Sequence, residues 1–436
     1  MKGFSKLGLT GLLFLYALLA TQTYAYDIVK RTKLIDDKFK TQEMLRPYGH
    51  DFILEPLNVA ITPDTLDMLK DFKKISDKPA GTSETEIIST ANDVLPKYYN
   101  KENILRARVV LGFPIFSFNA FGLRWQPNFR ADAGATVVLT PTEGTFSFTE
   151  TVSTLESSGL DPTIAAALKN CNYNAIAEGA VVIDACVTQG AITPAQKTAI
   201  NAQFPNVATF KKDSTQFSST TPIPVANVYA KFDGKVGFPV TFTKDEHFFG
   251  EFFVGALGRL DLDKSCNAIA ISFKACKIDM NQKNTVWNTI LDAKVGYKNS
   301  NYTVSAAVEE LKLAETSKTE SSTPMKYGSD PLFRIHAQAD YRLWIFSAQP
   351  YVGTHARSGY GFGDAYYAGA DWGAHVWGDR LGTTLRTMAD KEHFTIGPRF
   401  KLWLMQLELM AQLPMKKEID GVKISKIYSG DLRFFF

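Results

Sequence analysis

The sequence predicts an all-β fold: an antiparallel up-and-down β-barrel of about fourteen strands that spans a membrane, preceded by a partly helical segment. Three observations predict it: an export-type leader, long stretches in which apolar and polar residues alternate, and a final strand rich in aromatic residues. Twelve or sixteen strands are the alternatives, because 364–377 and 380–388 alternate weakly and a further hairpin could lie within 157–223.

Residues 1–25 have the pattern of a cleaved signal peptide. Lys2 and Lys6 precede an apolar run over 12–20, and Thr23 and Ala25 offer small residues at the cleavage position. A membrane anchor is the alternative, but the apolar run is short for one. Without Lys2 and Lys6, the 48 basic residues become 46 against 45 acidic ones, and the chain lacks the basic excess of a nucleic-acid binder.

The alternation has a period of two residues. In 122–140 the odd positions from Leu123 to Leu139 are apolar or small, and the even positions include Arg124, Arg130 and Asp132. Only a strand places these two sets on opposite faces, and the absence of long apolar runs excludes a bundle of membrane helices. The same pattern predicts strands at 104–118, 122–140, 145–155, 225–242, 247–263, 285–297, 301–313, 331–342, 345–357, 364–377, 380–388, 393–403, 405–413 and 425–436.

The last strand carries the most specific pattern. One face presents Tyr428, Gly430, Leu432, Phe434 and Phe436. This pattern resembles the closing strand of Gram-negative outer-membrane β-barrels, where the terminal aromatic residues are read by the barrel-assembly machinery. The resemblance identifies a class rather than a family. It implies an outer-membrane location, contact with lipid and lipopolysaccharide, and assembly by that machinery; a homo-oligomer is possible.

The connections between predicted strands support the same class. Strict alternation puts turns such as 141–144, 243–246 and 298–300 at one end, and the large insert 157–223 and the loop 264–284 at the other. Short turns on the periplasmic side and long loops outside are typical of outer-membrane barrels.

The four cysteines lie in these outer loops. An exported chain permits disulfides, and three pairings are possible. The local pairing, Cys171 with Cys186 and Cys266 with Cys276, is favoured because each pair brackets one polar insert. A metal site is disfavoured, since no histidine lies at ligand-like spacing from either pair.

Residues 26–103 do not alternate, and we separate them from a barrel at 104–436. Helices are expected over 62–75 and 83–95, and two more at 161–168 and 193–200 within the large insert. The segment 26–103 could form a small periplasmic domain, a strap around the barrel or a plug in its lumen. Its mixed composition favours the plug.

The inward face of the strands collects the candidate pore-lining residues. They are Arg106, Arg108, Arg124, Arg130, Asp132, Arg334, His336, Asp340, Arg342, His355, Arg399, Lys401 and Glu408. Such charges either select ions in a pore or pair with each other and with a plug. His336, His355 and Asp340 could bind a metal or serve a hydrolase, but a polar pore lining is favoured.

These features predict a channel or porin for small solutes, narrowed by the N-terminal segment. No enzyme motif and no cofactor-binding motif is found, so neither activity nor cofactor is expected. The strand count and inward plug resemble outer-membrane transporters for long-chain fatty acids and other hydrophobic compounds, which implies such a transporter as one alternative. A surface barrel that binds a partner through its outer loops is the other.

Overall fold

The computed structural model describes residues 26–44, 52–76, 84–212, 222–245, 247–267, 284–320, 325–376 and 380–435. In this part of the chain, fourteen antiparallel strands pair edge to edge and return on themselves as a closed barrel. Every strand pairs with its neighbours in sequence, so the up-and-down topology predicted from the alternation is confirmed.

The strand bounds place the barrel wall. The strands are β1 Ile53–Ile61, β2 Asn103–Pro114, β3 Leu123–Thr145, β4 Pro222–Lys244, β5 Phe248–Asn267, β6 Asn284–Lys298, β7 Tyr302–Thr319, β8 Leu332–Ala339, β9 Phe346–Ala356, β10 Tyr366–Val376, β11 Leu381–Asp390, β12 His393–Leu402, β13 Met405–Pro414 and β14 Ile427–Phe435. Phe118–Ala120 and Tyr341–Leu343 continue β2 and β8, so sixteen strand segments occupy fourteen positions.

The helices lie before and between the strands. They are α1 Ile28–Met44, α2 Asp64–Ser76, α3 Glu84–Val94, α4 Phe148–Glu156, α5 Pro162–Lys169, α6 Val182–Thr188 and α7 Pro194–Gln203. The expected α2, α3, α5 and α7 are present, whereas α1 has no counterpart among the predicted helices.

The barrel closes between its first and last strands. β1 pairs with β2 on one side and with β14 on the other, with Ile53 opposite Phe435 and Ile61 opposite Tyr428. The boundary drawn at residue 104 therefore differs from the structure, because part of 26–103 belongs to the barrel. A register shift between Leu54 and Leu57, next to Pro56, interrupts the alternation of β1 and hides the strand in the sequence.

The strand predicted over 145–155 is wrong. This segment ends β3 and then forms α4, where the Ser147 side chain caps the helix by accepting a hydrogen bond from the Glu150 backbone NH. Val152 and Leu155, three residues apart, are buried on one side of α4. The predicted total of fourteen strands is correct because β1 replaces the missing strand.

The two ends of the barrel differ. At the short-turn end, brief connections join β2 to β3, β4 to β5, β6 to β7, β8 to β9, β10 to β11 and β12 to β13. At the long-loop end lie the insert between β3 and β4 and also the helices α2 and α3, which follow the end of β1. The predicted turn at 141–144 lies inside β3 instead, as its pairing with β4 shows.

The outer face of the wall is apolar. Large hydrophobic side chains are exposed on strands around the ring, among them Val109, Phe238, Val254, Val295, Ile335, Val352, Trp372, Leu385, Phe400 and Leu409. Such a band is typical of a wall that faces lipid. Among the described residues no helix is long and apolar enough to cross a membrane, a result that concerns helices alone.

Three short turns present exposed aromatic residues at their tips. Phe121, Trp344 and Trp403 are 96%, 84% and 66% exposed, and each has a positive φ of 52–54°. That backbone region is uncommon for bulky residues, so each of these turns carries some backbone strain while its aromatic side chain is exposed. Aromatic residues at this level are typical of the interface between hydrocarbon and headgroups.

The final strand presents its two predicted faces. Tyr428 is 46% exposed on the outside, whereas Asp431 and Arg433 are buried on the inside. Gly430, Leu432 and Phe434 follow Tyr428 at every second residue, so they lie on the same face of the strand. Phe436 lies outside the described residues.

The wall is tallest on the side that carries the insert. β3 and β4 each have 23 residues, but β12 and β13 have 10, which is about the length that crosses a bilayer. The extra length of β3 and β4 projects at the long-loop end, beneath α4–α7. The insert has its own buried apolar core and the predicted disulfide Cys171–Cys186. Cys266 is also disulfide-bonded, and its predicted partner Cys276 lies outside the described residues.

The apolar outer face predicts a penalty for charge. We expect Leu385→Arg, in the middle of β11, to destabilise the barrel in lipid vesicles by about 2–4 kcal/mol. Leu66→Arg, at a 55% exposed site on α2, is the matched control and should change stability by less than about 0.5 kcal/mol. Urea unfolding in vesicles, followed by tryptophan fluorescence, measures both. Equal stabilities would contradict a lipid-facing wall.

Candidate functional site

Helix α1 lies inside the barrel. Its side chains and backbone contact β2, β4, β7, β8 and β11, which are spaced around the ring. A helix can reach all of these strands only from the lumen. Twelve of its 17 residues are buried although most of them are polar or charged. Its environment is therefore polar, and its position depends on pairing of charges.

Arg31 and Lys38 hold α1 at the long-loop end. Arg31 donates through Nε to Oε1 of Glu102 at 2.8 Å and through Nη1 to Oε1 of Glu392 at 2.6 Å. Lys38 Nζ lies 3.1 Å from Asp390 Oδ1 and 2.6 Å from Glu392 Oε2. These contacts fix the helix to the segment before β2 and to the hairpin between β11 and β12.

Two adjacent aspartates bind opposite walls. Asp36 accepts from Arg106 at 3.1 Å and from Lys231 at 2.5 Å, on β2 and β4. Asp37 accepts a two-pronged contact from Arg357, at 2.9 and 3.1 Å, and a hydrogen bond from Tyr360 at 2.7 Å. Paired Arg–carboxylate contacts specify orientation as well as distance, so the rotation of α1 about its axis is fixed.

The end of α1 meets a set of arginines. Glu43 pairs with Arg106, at 3.0 Å, and with Arg108. Arg334 donates to Thr41, and Arg386 donates to the backbone carbonyl of Gln42 at 3.1 Å. The last carbonyls of a helix have no partners within it, and Arg386 satisfies one of them.

Apolar packing at two residues of α1 completes the fit. Ile35 and Phe39 pack against Ala60, Ile104 and Val138, whose side chains point inward near the long-loop end. Arg106 also stacks over the Phe39 ring at 4.9 Å.

A bulge in β7 turns two consecutive glutamates inward. The β6–β7 register shifts between Leu291 and Ala293, and Glu310 has φ 60°. Glu309 then accepts from Arg334 at 3.2 Å, while Glu310 accepts from Lys40, Arg259 and Arg357 at 2.7–3.0 Å. In a regular strand one of these carboxylates would face outward. The strained residue is thus also the one that binds α1.

Tyr327 lies under a ring of cations. It belongs to the loop between β7 and β8, and it is fully buried. Lys33, Lys231, Arg259 and Arg357 all approach the face of its ring, at 4.3–5.6 Å from the centroid. Tyr327 thereby packs the cations of the wall and of α1 together without adding a charge.

The wall opposite this region carries its own charge cluster. Arg386 and Arg399 on β11 and β12 pair with Asp371 and Glu408 on β10 and β13, at 2.9–3.4 Å. These pairs satisfy one another within the wall, so they hold their side chains inward whether or not α1 is present.

Below α1, the described residues leave part of the lumen open. A cavity of about 690 Å³ extends from Glu43 and Met44 towards the short-turn end. Its lining is mixed in charge and includes Arg108, Lys294 and Asp340. A smaller cavity of about 160 Å³ lies beside the helix. The described helix therefore obstructs the long-loop half of the lumen rather than all of it.

Nine of the predicted pore-lining residues lie deep on the inner wall. They are Arg106, Arg108, Arg130, Asp132, Arg334, His336, His355, Arg399 and Glu408. Asp340 lies beside a short turn, where its backbone NH donates to the Asn301 carbonyl. Arg124, Arg342 and Lys401 also lie beside the short turns, opposite Thr243, Ser347 and Gly382. Several of the deep residues bind α1 or neighbouring wall charges, so the inner surface combines lining with attachment.

The two inward histidines have separate partners. His336 Nδ1 lies 3.1 Å from the Tyr367 hydroxyl, and His355 Nδ1 lies 2.9 Å from that of Tyr360. Asp340 accepts from Gln338 and Gln349 at 2.8 and 2.7 Å. These contacts place each group in a different hydrogen-bond pair.

Sequence reasoning missed several residues that hold α1. Lys231 and Arg386 lie in predicted strands, at the alternate positions that face the lumen. The alternation in the sequence would therefore have found them if it had been applied to every strand. Arg357 ends the predicted strand 345–357 two residues after the inward His355, so the same alternation would also find it, although the structure places it just after β9. Glu310 depends on a bulge, and regular alternation would not assign both Glu309 and Glu310 to the inner face.

The carboxyl group of Glu102, which binds Arg31 near the outer end of α1, has a lowered pKa. Burial acts to raise the pKa of its carboxyl group. The Arg31 guanidinium and hydrogen bonds from Arg31 and Tyr26 outweigh burial and hold the pKa below its ordinary value of 4.5.

The comparisons with known proteins find similarity of structure only. No protein-family model and no curated protein sequence matches the chain. A mutant of the Rh. blastica porin covers 88% of this chain and 98% of its own, at 7% identity and a TM-score of 0.27. A Pseudomonas aeruginosa FadL homologue covers 77% and 68%, at 8% and 0.29.

A deletion mutant of the monoaromatic hydrocarbon channel TodX covers 94% of this chain and 93% of its own, at 9% identity and a TM-score of 0.33. All three are barrels in the class that the final strand resembles. Scores this low carry no argument about activity, and the fold is defined by the strand pairing itself.

The buried pair Asp37–Arg357 predicts a large mutational effect. Both side chains are fully buried, so Asp37→Asn leaves a buried guanidinium without its full partner and should cost about 3–5 kcal/mol. Asp67→Asn on α2 removes half of an ion pair whose members are 74% and 70% exposed, and should cost less than about 1 kcal/mol. Trypsin cleavage at the basic residues of α1, read by mass spectrometry, should increase only in Asp37→Asn. Equal cleavage in both variants would contradict the anchoring role.

The lowered pKa of Glu102 predicts resistance to mild acid. A lowered folded-state pKa contributes stability that is complete above 4.5 and is lost as the pH falls through the lowered value. Hydrogen exchange of peptides from 26–44, corrected for intrinsic rates, should therefore be equal at about pH 7 and pH 5. Glu102→Gln should exchange faster at both. Release of α1 between those pH values in the unaltered protein would overturn this assignment.

Proposed function

We propose that the protein is an outer-membrane channel of a Gram-negative bacterium that passes small water-soluble solutes and is held closed by α1. The observation that carries this proposal is the charge-paired helix in the lumen of a closed barrel whose outer face is apolar. A purely structural core would be expected to use apolar packing, since buried charges add little net stability.

The outer surface supports the membrane assignment. The apolar band, the aromatic tips at Phe121, Trp344 and Trp403, and the leader predicted over 1–25 all fit export and insertion. Lipid and lipopolysaccharide would be the surroundings, and the barrel-assembly machinery the partner that reads the final strand. We assign no cofactor and no enzymatic activity, and a homo-oligomer is compatible with this surface.

The inner surface supports a water-soluble cargo. The inner wall carries arginine, lysine and carboxylate side chains at every level from Glu102 to Asp340, and the open cavity has a mixed lining. Such a wall stabilises hydrated or charged solutes and disfavours hydrophobic ones. A transporter for hydrophobic compounds is therefore the weaker alternative.

The charges at the outer mouth suggest how the channel opens. α1 is bound by many separate contacts, each between groups that water or solute ions can also satisfy once they reach the lumen. Withdrawal of α1 would expose Arg106, Lys231 and Arg357 together with Glu310 and Asp390. The open pore would then present both signs of charge along its length.

Removal of α1 tests the proposal. A variant lacking 26–44 keeps β1, and therefore keeps the closed wall, which a deletion of 26–103 would break. In planar bilayers we expect steady conductance from this variant and rare, brief openings from the full-length protein. Heat-modified gel mobility verifies that both are folded, and Asp67→Asn serves as the control with unchanged conductance.

A folded deletion variant without conductance would overturn the channel. That result would favour the second candidate, a surface barrel that binds a partner through the insert between β3 and β4. The separate core of the insert and its disulfide are the features that favour this candidate.

A further inference from the structure

The hairpin between β11 and β12 brings three potential metal ligands together. One ligand atom each from Asp390, Glu392 and His393 lies within 4.8 Å of the others. All three side chains are buried, with His393 1% exposed. No other group in the described part of the chain meets the same geometric condition.

His393 is the unusual member of this cluster. Neither Nδ1 nor Nε2 of its ring has a hydrogen-bond partner, and Oδ2 of Asp390 has none either. Buried imidazoles and carboxylates are normally hydrogen-bonded, and each unsatisfied atom carries a free-energy cost. A bare imidazole beside two carboxylates is a combination that a metal ion would satisfy.

The other side of the cluster is occupied by α1. Lys38 bonds to Asp390 and Glu392 through oxygens other than Asp390 Oδ2, and Arg31 bonds to Glu392. The two carboxylates thus face two positive charges from one helix. A divalent cation could supply the same charge, but like charges at this distance repel strongly.

We propose that Asp390, Glu392 and His393 form a binding site for a divalent transition metal of the zinc type, and that the metal competes with Lys38 and Arg31 for the carboxylates. One imidazole nitrogen and two carboxylate oxygens suit zinc, whereas calcium and magnesium prefer oxygen alone. Water would complete the coordination.

Competition of this kind couples the metal to α1. Metal binding removes partners from Lys38 and Arg31, and by linkage any change that loosens α1 tightens metal binding by the same factor. The hairpin lies at the long-loop end, so the metal would act from the outside of the cell. The further step, in which metal opens the pore, rests on the proposed channel function; metal binding itself does not.

Zinc binding to the purified, folded full-length protein tests the site, with calorimetry as the readout. We expect one zinc ion per chain. His393→Gln keeps the approximate size of the side chain but removes a proposed zinc ligand. It should weaken zinc binding by at least about 10–100-fold, which is the effect of replacing a residue that only hydrogen-bonds to a metal ligand. His247→Ala is the control, because this exposed histidine lies at the short-turn end, where it contacts the Lys298 carbonyl. It should bind zinc as the unaltered protein does.

Lys38→Met tests the competition. Removing one competing charge should tighten zinc binding by about tenfold. Heat-modified gel mobility confirms folding of each variant. Absence of zinc binding in both the unaltered protein and Lys38→Met would overturn the site, and so would equal affinity in His393→Gln. Calcium binding that is as tight as zinc binding and independent of His393 would overturn the choice of metal.

Conductance measurements distinguish the metal-site proposal from the channel proposal. Zinc should increase openings of the full-length protein in planar bilayers and have no effect on the variant lacking 26–44. Failure of zinc to bind would leave conductance of the deletion variant intact. Conversely, zinc binding by a protein whose deletion variant never conducts would leave the metal site standing and remove the channel.

Discussion

The rest of the structure depends on one constraint: charges that are removed from water must meet charges of opposite sign. The barrel wall excludes water from much of the long-loop half of the lumen, where α1 and the inward strands carry buried Arg, Lys, Asp and Glu side chains. Each helix charge with a buried partner, such as Asp37 with Arg357, stabilises one position and one rotation of α1. Apolar contacts through Ile35 and Phe39 add packing, but they are too few to set the register by themselves.

Alternation in the sequence was sufficient to predict the wall. The period of two in 122–140 defines β3, and the same parity in 393–403 and 405–413 defines β12 and β13. It failed where backbone irregularity breaks the period: the bulge at Pro56 hides β1, and Ser147 starts a helix in a segment whose threonines resemble a strand. Local propensity was overridden there by capping and by burial in the insert.

The candidate site was less predictable than the wall, for a different reason. Helix α1 is polar on nearly every side, so its sequence lacks the apolar stripe by which buried helices are recognised. Its partners come from β2, β4, β7, β8 and β11 and from loops, so their proximity is a property of the closed ring. Arg106 and Arg334 could be assigned to the inner face from the alternation, whereas Glu310 could only be found once the bulge was placed.

The placement of α1 beside the seam has a consequence for biogenesis. β1 and β14 are the two strands whose pairing closes the ring, and the helix is joined to β1 by only eight residues, 45–52. A closed ring of hydrogen-bonded strands offers no lateral gap through which a charged helix could pass afterwards. A helix that is not seated before closure has to enter along the barrel axis, whereas its ion pairs with β2 and β4 can already form while the ring is still an open sheet. If α1 is seated early, pairing of the final aromatic strand with β1 encloses the helix in the lumen as the barrel closes.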